Sequence, residues 1–154
     1  MEIERKFLIK SLPEGISSCL SAHIEQGYLG FGDGDEPERR IRKLTEGDKV
    51  SYFYTEKGKG DLCREEEEYE IPAYSYENLR ELVISATLEK TRYYFPIGEL
   101  TAELDVYGGS LEGLTVAEVE FTSLEQAESF EPPAFFGEEI TYDKKYRNKN
   151  LARK

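Results

Sequence analysis

Apolar and charged residues alternate along most of this chain, and the alternation is already present at its second residue. In Glu2-Ile3-Glu4-Arg5-Lys6-Phe7-Leu8-Ile9 a two-residue period sets Glu2, Glu4 and Lys6 on one face and Ile3, Phe7 and Ile9 on the other. The pattern predicts a strand with two carboxylates and an ammonium pointing the same way. A single strand of this kind is usually a solvated surface. Here the arrangement recurs with charges of both signs, which a plain sheet does not need.

Ala22 to Phe31 alternates again and carries Gln26-Gly27-Tyr28-Leu29, a second strand, and Gly30 to Pro37 is a hairpin loop by its Gly, Asp and Pro content. Arg39 to Leu44 follows, with Arg40 and Arg42 on one face and Ile41 opposed. Lys49 to Lys57 places Lys57 in phase with Ser51, Phe53 and Thr55, and Gly58-Lys59-Gly60 reads as a turn. That turn lacks both the spacing and the following helix of a phosphate-binding loop. Glu65 to Ile71 is a fifth strand with Glu66, Glu68 and Glu70 sharing a face. The period then switches to that of a helix over Tyr74 to Ser85, capped by Ser75. Alternation returns in Leu88 to Phe95 with Lys90 and Arg92 in phase, in Leu100 to Tyr107 with Glu103 and Asp105, and in Thr115 to Phe121 with Glu118 and Glu120. Ser123 and Gln126 predict a capping box for a short helix, Leu124 to Phe130, ended by Pro132-Pro133. The tail from Asp143 onward is basic and compatible with a terminal helix.

About eight such strands at hairpin spacing, with few helices, predict a mainly β (α+β) fold, an antiparallel barrel or strongly curved sheet in one domain over residues 1–154. The apolar face needs cover from the helices or from a second copy in a homodimer. If helices cover it, the charged face lines the interior.

Charge narrows the partners. A net −12 argues against general nucleic-acid or anionic-membrane binding, because the summed field repels polyanions. An anionic ligand must therefore sit on a local basic cluster. Cys19 and Cys63 lack metal-ligand spacing and His23 is the sole histidine, so a metal would take oxygen ligands. No leader pattern or long apolar run opens the chain, which suits a protein of the reducing cytoplasm.

A dry interior lined by ions would cost several kcal/mol per isolated charge, so the interior must be wet and hold a ligand. Arginine forks suit the free oxygens of a polyphosphate, and glutamates suit Mg²⁺ or Mn²⁺ that neutralises the remainder. A metal on carboxylates and waters can also orient a water toward a terminal phosphorus. The chemistry implied is metal-assisted hydrolysis of a phosphoanhydride.

At this point the chain resembles the CYTH family, the triphosphate tunnel metalloenzymes, whose signature is an opening Glu-x-Glu-x-Lys strand. Glu2-Ile3-Glu4-Arg5-Lys6 matches it. Gln26-Gly27-Tyr28-Leu29, Arg40-Ile41-Arg42, Glu68-Tyr69-Glu70, Glu89-Lys90-Thr91-Arg92-Tyr93, Glu103-Leu104-Asp105, Glu118-Val119-Glu120-Phe121 and Phe136-Gly137-Glu138-Glu139 follow in family order. The resemblance implies an eight-stranded antiparallel tunnel that binds a triphosphate and a divalent metal. Glu2, Glu4, Glu118 and Glu120 would hold metal with Asp105 in support, and Arg40, Arg42, Lys57, Lys90 and Arg92 would grip the phosphates. Lys6 and Tyr28 resemble the pair near the attacked phosphate, while Lys144 and Lys145 would match a helix that plugs one tunnel end. The compact loops look like those of the small bacterial members that hydrolyse inorganic triphosphate. The alternatives are thiamine triphosphatase or adenylyl cyclase activity, or a non-catalytic polyphosphate-binding module.

Overall fold

The computed structural model describes residues 1–60 and 62–153. It contains β1 (Glu2–Ile9), β2 (Leu20–Phe31), β3 (Glu38–Glu46), β4 (Lys49–Lys57), β5 (Cys63–Arg64), β6 (Glu66–Ile71), α1 (Ala73–Arg80), β7 (Leu88–Ile97), β8 (Leu100–Tyr107), β9 (Thr115–Phe121), α2 (Leu124–Ser129), β10 (Phe136–Glu139) and α3 (Asn148–Leu151). All strand pairs are antiparallel, in the order β10-β1-β9-β8-β7-β2-β3-β4-β6. β5 leaves this path to pair with the start of β1, at Glu2 and Ile3. Both ends of the sheet thus meet at β1 and the barrel nearly closes. With β5 and β6 counted as one interrupted strand the sheet has nine members, eight around the wall as the alternation predicts and β10 sharing the β1 edge with β5.

The apolar outer face is covered in two places. Phe7, Leu104, Ala117, Val119 and Phe121 lie beneath Ala127 of α2 with Phe130, Phe135 and Phe136 packed around them. Leu29 and Ile41 lie beneath Tyr76 of α1, joined by Leu79 and Val83. The capping box forms as predicted in outline: the Ser123 hydroxyl accepts from the Gln126 amide at 3.1 Å, and the Gln126 side chain accepts from the Thr122 amide at 2.7 Å.

Three boundaries differ from the sequence reading, each because tertiary hydrogen bonds override local pattern. α1 starts after Pro72 with no side-chain cap, so Ser75 lies inside it, and it stops at Arg80. Beyond Arg80 the chain turns to serve β2, whose register shifts between Tyr28 and Gly30. The Tyr28 amide donates to the Ser85 hydroxyl at 3.0 Å, and the Tyr28 carbonyl accepts from the Ile84 amide at 2.8 Å. Val83 approaches so closely that a Cβ on Gly27 would stand 2.9 Å from it, which is why the position takes glycine. Phe136 to Glu139 forms β10, a strand too short for alternation to reveal, which occupies the rest of the β1 edge. The basic tail is not one helix but a 3-10 turn at Lys144–Tyr146 and the single turn α3.

That tail, with Ile140, supplies a third cluster. Ile140, Tyr146, Leu151 and Ala152 pack on Tyr28, Leu88, Tyr107 and Val116, while the Ala86 amide donates to the Ala152 carbonyl at 2.9 Å. No helix among the described residues is long and apolar enough to cross a membrane.

Candidate active site

Directly paired residues of antiparallel strands share a face, and the register therefore assembles the interior. Glu4 lies opposite Glu120 and Lys6 opposite Glu118. Glu118 also faces Glu103 across β8 and β9. On the far wall Tyr28 pairs with Arg40, Thr55 with Glu68 and Lys57 with Glu66. These side chains surround a polar cavity of about 250 Å³.

One wall is acidic. Glu4 shows the consequence of crowding carboxylates in a buried space: burial first, then the Glu118 charge, pushes its carboxyl up to about 8. Glu66 rises to about 7, by burial and by a hydrogen bond shared with Glu2, so this pair holds a proton on Glu66 while Glu2 stays ionised beside Lys57. The Lys57 ammonium lies 3.2 Å from Glu2. Burial would raise Glu118 as well, but Lys6 at 3.8 Å and Arg92 at 3.9 Å outweigh it and hold Glu118 well below the ordinary carboxylate range.

The basic wall has two unlike halves. On β7 and β8 the Asp105 carboxylate is fully buried and accepts from Lys90 Nζ at 2.7 Å, Arg92 Nε at 2.7 Å and Arg92 Nη2 at 2.9 Å. Burial opposes its ionisation, yet the two cations hold it below its ordinary value. On β3, Arg42 contacts Glu68 at 2.7 Å and Arg40 reaches Glu66 only at 3.7 Å. The Nε atoms of both arginines are buried without a hydrogen-bond partner. Tyr28, its hydroxyl accepting from Gln26 Nε2 at 3.1 Å, is pushed up to about 12 by burial, so it remains a neutral phenol.

No family model matches the chain. An inorganic triphosphatase of Nitrosomonas europaea is 42% identical over 153 residues, spanning 98% of this chain and 96% of that protein. The chain belongs to the CYTH, or triphosphate tunnel, family. An inorganic triphosphatase of Acetivibrio thermocellus is 34% identical over 159 residues, 99% of this chain and 93% of its own length. The crystal structure of the inorganic triphosphatase NE1496 superposes with a TM-score of 0.72 at 38% identity, covering 100% of this chain and 95% of that one. PH1819 of Pyrococcus horikoshii, at a TM-score of 0.60 and 21% identity over 83% of this chain and 82% of its own, shares the fold.

Of the residues that the CYTH resemblance singles out, Glu2, Glu4, Lys6, Tyr28, Arg40, Arg42, Lys57, Lys90, Arg92, Glu118 and Glu120 all line the cavity. Two do not. Asp105 is sealed behind Lys90 and Arg92 with no exposed surface, where it orients cations and presents no free oxygen to a metal. Lys144 sits on the 3-10 turn outside the lining, its carbonyl accepting from Asn150 Nδ2 at 2.6 Å. The tail instead faces the cavity through Arg147, Asn148 and Lys149. Sequence reasoning also passed over Glu38 and Arg64, which pair at 2.6 Å in the lining. Both were legible, since Glu38 is in phase with Arg40, and Arg64 with Glu66. Arg147 and Lys149 follow no period.

The chemistry of the acid wall fits a divalent cation, because Glu4 retains a proton where its neighbours are already charged. No three His, Cys, Asp or Glu side chains among the described residues converge as a closed cage.

Proposed function

We propose that this chain hydrolyses inorganic triphosphate to diphosphate and phosphate inside the barrel, with Mg²⁺ or Mn²⁺ on the Glu2, Glu4, Glu118 and Glu120 wall. The observation that carries the reading is the pair of buried, partnerless Nε donors of Arg40 and Arg42. A buried donor without an acceptor costs about 1–3 kcal/mol, and phosphate oxygens supply that acceptor. The relatives named inorganic triphosphatase agree with it.

Little covalent chemistry is asked of the protein in phosphoryl transfer, so positioning and charge stabilisation do most of the catalysis. The bound cation would neutralise phosphate charge and lower the pKa of a coordinated water. Arg40, Arg42 and Arg92 hold the chain of phosphates as forks, and Lys57 and Lys90 add point charges. Lys6, on the same face as Glu4 and 3.8 Å from Glu118, stabilises charge where water adds to the terminal phosphorus as the bridging P–O bond breaks. Tyr28, neutral across the physiological range, donates a hydrogen bond and does not act as a base. A cytoplasmic location is part of the proposal, in keeping with the free thiols of Cys19 and Cys63.

The test is phosphate release from inorganic triphosphate, ATP and thiamine triphosphate with Mg²⁺, with Mn²⁺ and with chelator. Inorganic triphosphate should be cleaved fastest, and only with metal. Glu4→Ala should abolish turnover, with partial rescue by excess Mg²⁺, and Lys6→Ala should lower kcat more than it raises KM. Tight triphosphate binding without release from any substrate would leave a binding module.

A further inference from the structure

Gln26 on β2 is 1% exposed and stands directly across from Arg42 on β3 and Leu88 on β7. It shares a face with Tyr28, two residues on, but does not itself line the cavity. One end of its amide is used: Nε2 donates to the Tyr28 hydroxyl oxygen at 3.1 Å. The other end is not, since Oε1 is buried with no hydrogen-bond partner among the described residues. A buried carbonyl left unmatched costs stability, and an apolar side chain of the same length would fill the place without that cost. Local rules of this kind are broken where function asks for it. The end in use, the donor to Tyr28, is therefore the informative one.

An amide nitrogen can only donate, so at this contact the Tyr28 oxygen accepts and its own proton must point elsewhere. The Arg40 guanidinium, directly across on β3, is a second donor beside the same oxygen, and both act against the larger effect of burial on the phenol. Apolar neighbours occupy other sides of the ring: Phe31 stacks on it with centroids 6.0 Å apart, and Leu88, Val116 and Ile140 belong to the same cluster. Tyr28 lines the cavity, so a ligand oxygen there is the acceptor that its proton can reach.

We propose that Gln26 is a positioning residue: by donating to the Tyr28 oxygen from outside the lining, it turns the phenolic O–H into the cavity, where that O–H donates to a phosphate oxygen of the substrate. The inference rests on the triphosphatase reading for the identity of that oxygen. Gln26 touches no substrate and acts through Tyr28 alone.

The experiment is a double-mutant cycle on the full-length protein, with Gln26→Met, which keeps the length of the side chain and removes the donor, Tyr28→Phe, and the two together. Two quantities are read: kcat on inorganic triphosphate with Mg²⁺, and the Kd of triphosphate in chelator, where turnover is blocked. Each single change should lower kcat and weaken binding about tenfold, the lower end of what a hydrogen bond to a charged group contributes, and the double variant should lose no more than about twofold beyond Tyr28→Phe. The melting temperature of Gln26→Met should match or exceed that of the unsubstituted protein, because the unmatched carbonyl leaves with the amide. Losses that multiply in the double variant, or unchanged binding and turnover in Gln26→Met, would overturn the proposal. Gln26→Leu repeats the cycle, and failure of both single variants to fold would overturn it too, by making the role structural. Absence of turnover in the unsubstituted protein would sink the triphosphatase reading, while the binding cycle still judges Gln26.

Discussion

Arg40 on β3 and Arg92 on β7 are equally enclosed, each 8% exposed, yet their donors are matched very differently. Arg92 is gripped by Asp105 through two hydrogen bonds and by Glu103 at 3.1 Å. Arg40 and its neighbour Arg42 keep buried Nε donors with no acceptor, and Arg42 is held below its ordinary value by burial and by the Arg40 charge. Equal burial with unequal pairing means that the compensating charge comes from two sources. For Arg92 the chain supplies it through buried Asp105; for the β3 arginines Glu68 at 2.7 Å and Glu66 at 3.7 Å supply part of it, and the Nε donors are left for a ligand. One half of the basic wall is scaffold that also touches the cavity, and the other half is a prepared anion grip.

The largest effect should come from removing the scaffold's counter-charge. Asp105→Ala leaves Lys90 and Arg92 buried without their carboxylate, and breaking a buried ion pair in this way costs about 3–5 kcal/mol of stability. Urea denaturation with and without triphosphate checks it, and added triphosphate should restore part of the loss by taking over as the anion. A cost below about 1 kcal/mol would mean that the two halves are alike after all.

Arg42→Ala should do the reverse, leaving stability within about 0.5 kcal/mol while weakening triphosphate affinity about 10- to 100-fold, the worth of one or two charge-assisted hydrogen bonds. A titration and a melt on the same sample separate the two quantities. Unchanged affinity would remove Arg42 from the grip and, with it, the meaning given to the partnerless Nε.

The contrast between Arg40 and Arg92 was not legible in the sequence, although the positions of both were. Period-two alternation assigned Glu2, Glu4, Lys6, Arg40, Arg42, Lys57, Lys90, Arg92, Glu118 and Glu120 to one face, and the register places all of them around the cavity. Alternation reports a face but not depth. Asp105 was therefore grouped with the metal-side acids, when its place between Arg92 and Val116 in neighbouring strands buries it. Glu103, two residues earlier on the same face, does line the cavity. The early end of α1 and the existence of β10 depend on bonds to Tyr28 and to the β1 edge, partners remote in sequence. The tail was hardest, because Arg147 and Lys149 are aimed by packing of Tyr146 and Leu151 and not by any repeat.

The acid wall offers the smallest and most selective test of the idea that this chain leaves charge for a ligand to complete. With its folded pKa raised to about 8, Glu4 binds a proton in the folded state that the unfolded chain has released above the ordinary value of 4.5. In chelator, stability should therefore fall as pH rises from about 5 to 8, with a slope of at most about 1.4 kcal/mol per pH unit for this group. Glu66, raised to about 7, adds in the same sense over the lower part of that window. Glu118, depressed, acts the other way and only below the ordinary carboxylate range, so it does not mask the trend. Glu4→Gln should flatten the profile, and Mg²⁺ should flatten it in the unsubstituted protein by replacing the proton with a divalent charge. A chelator profile already flat between pH 5 and 8 would show that Lys6 and Lys57 alone balance the carboxylates, and the case for a cation on that wall would lose its electrostatic ground.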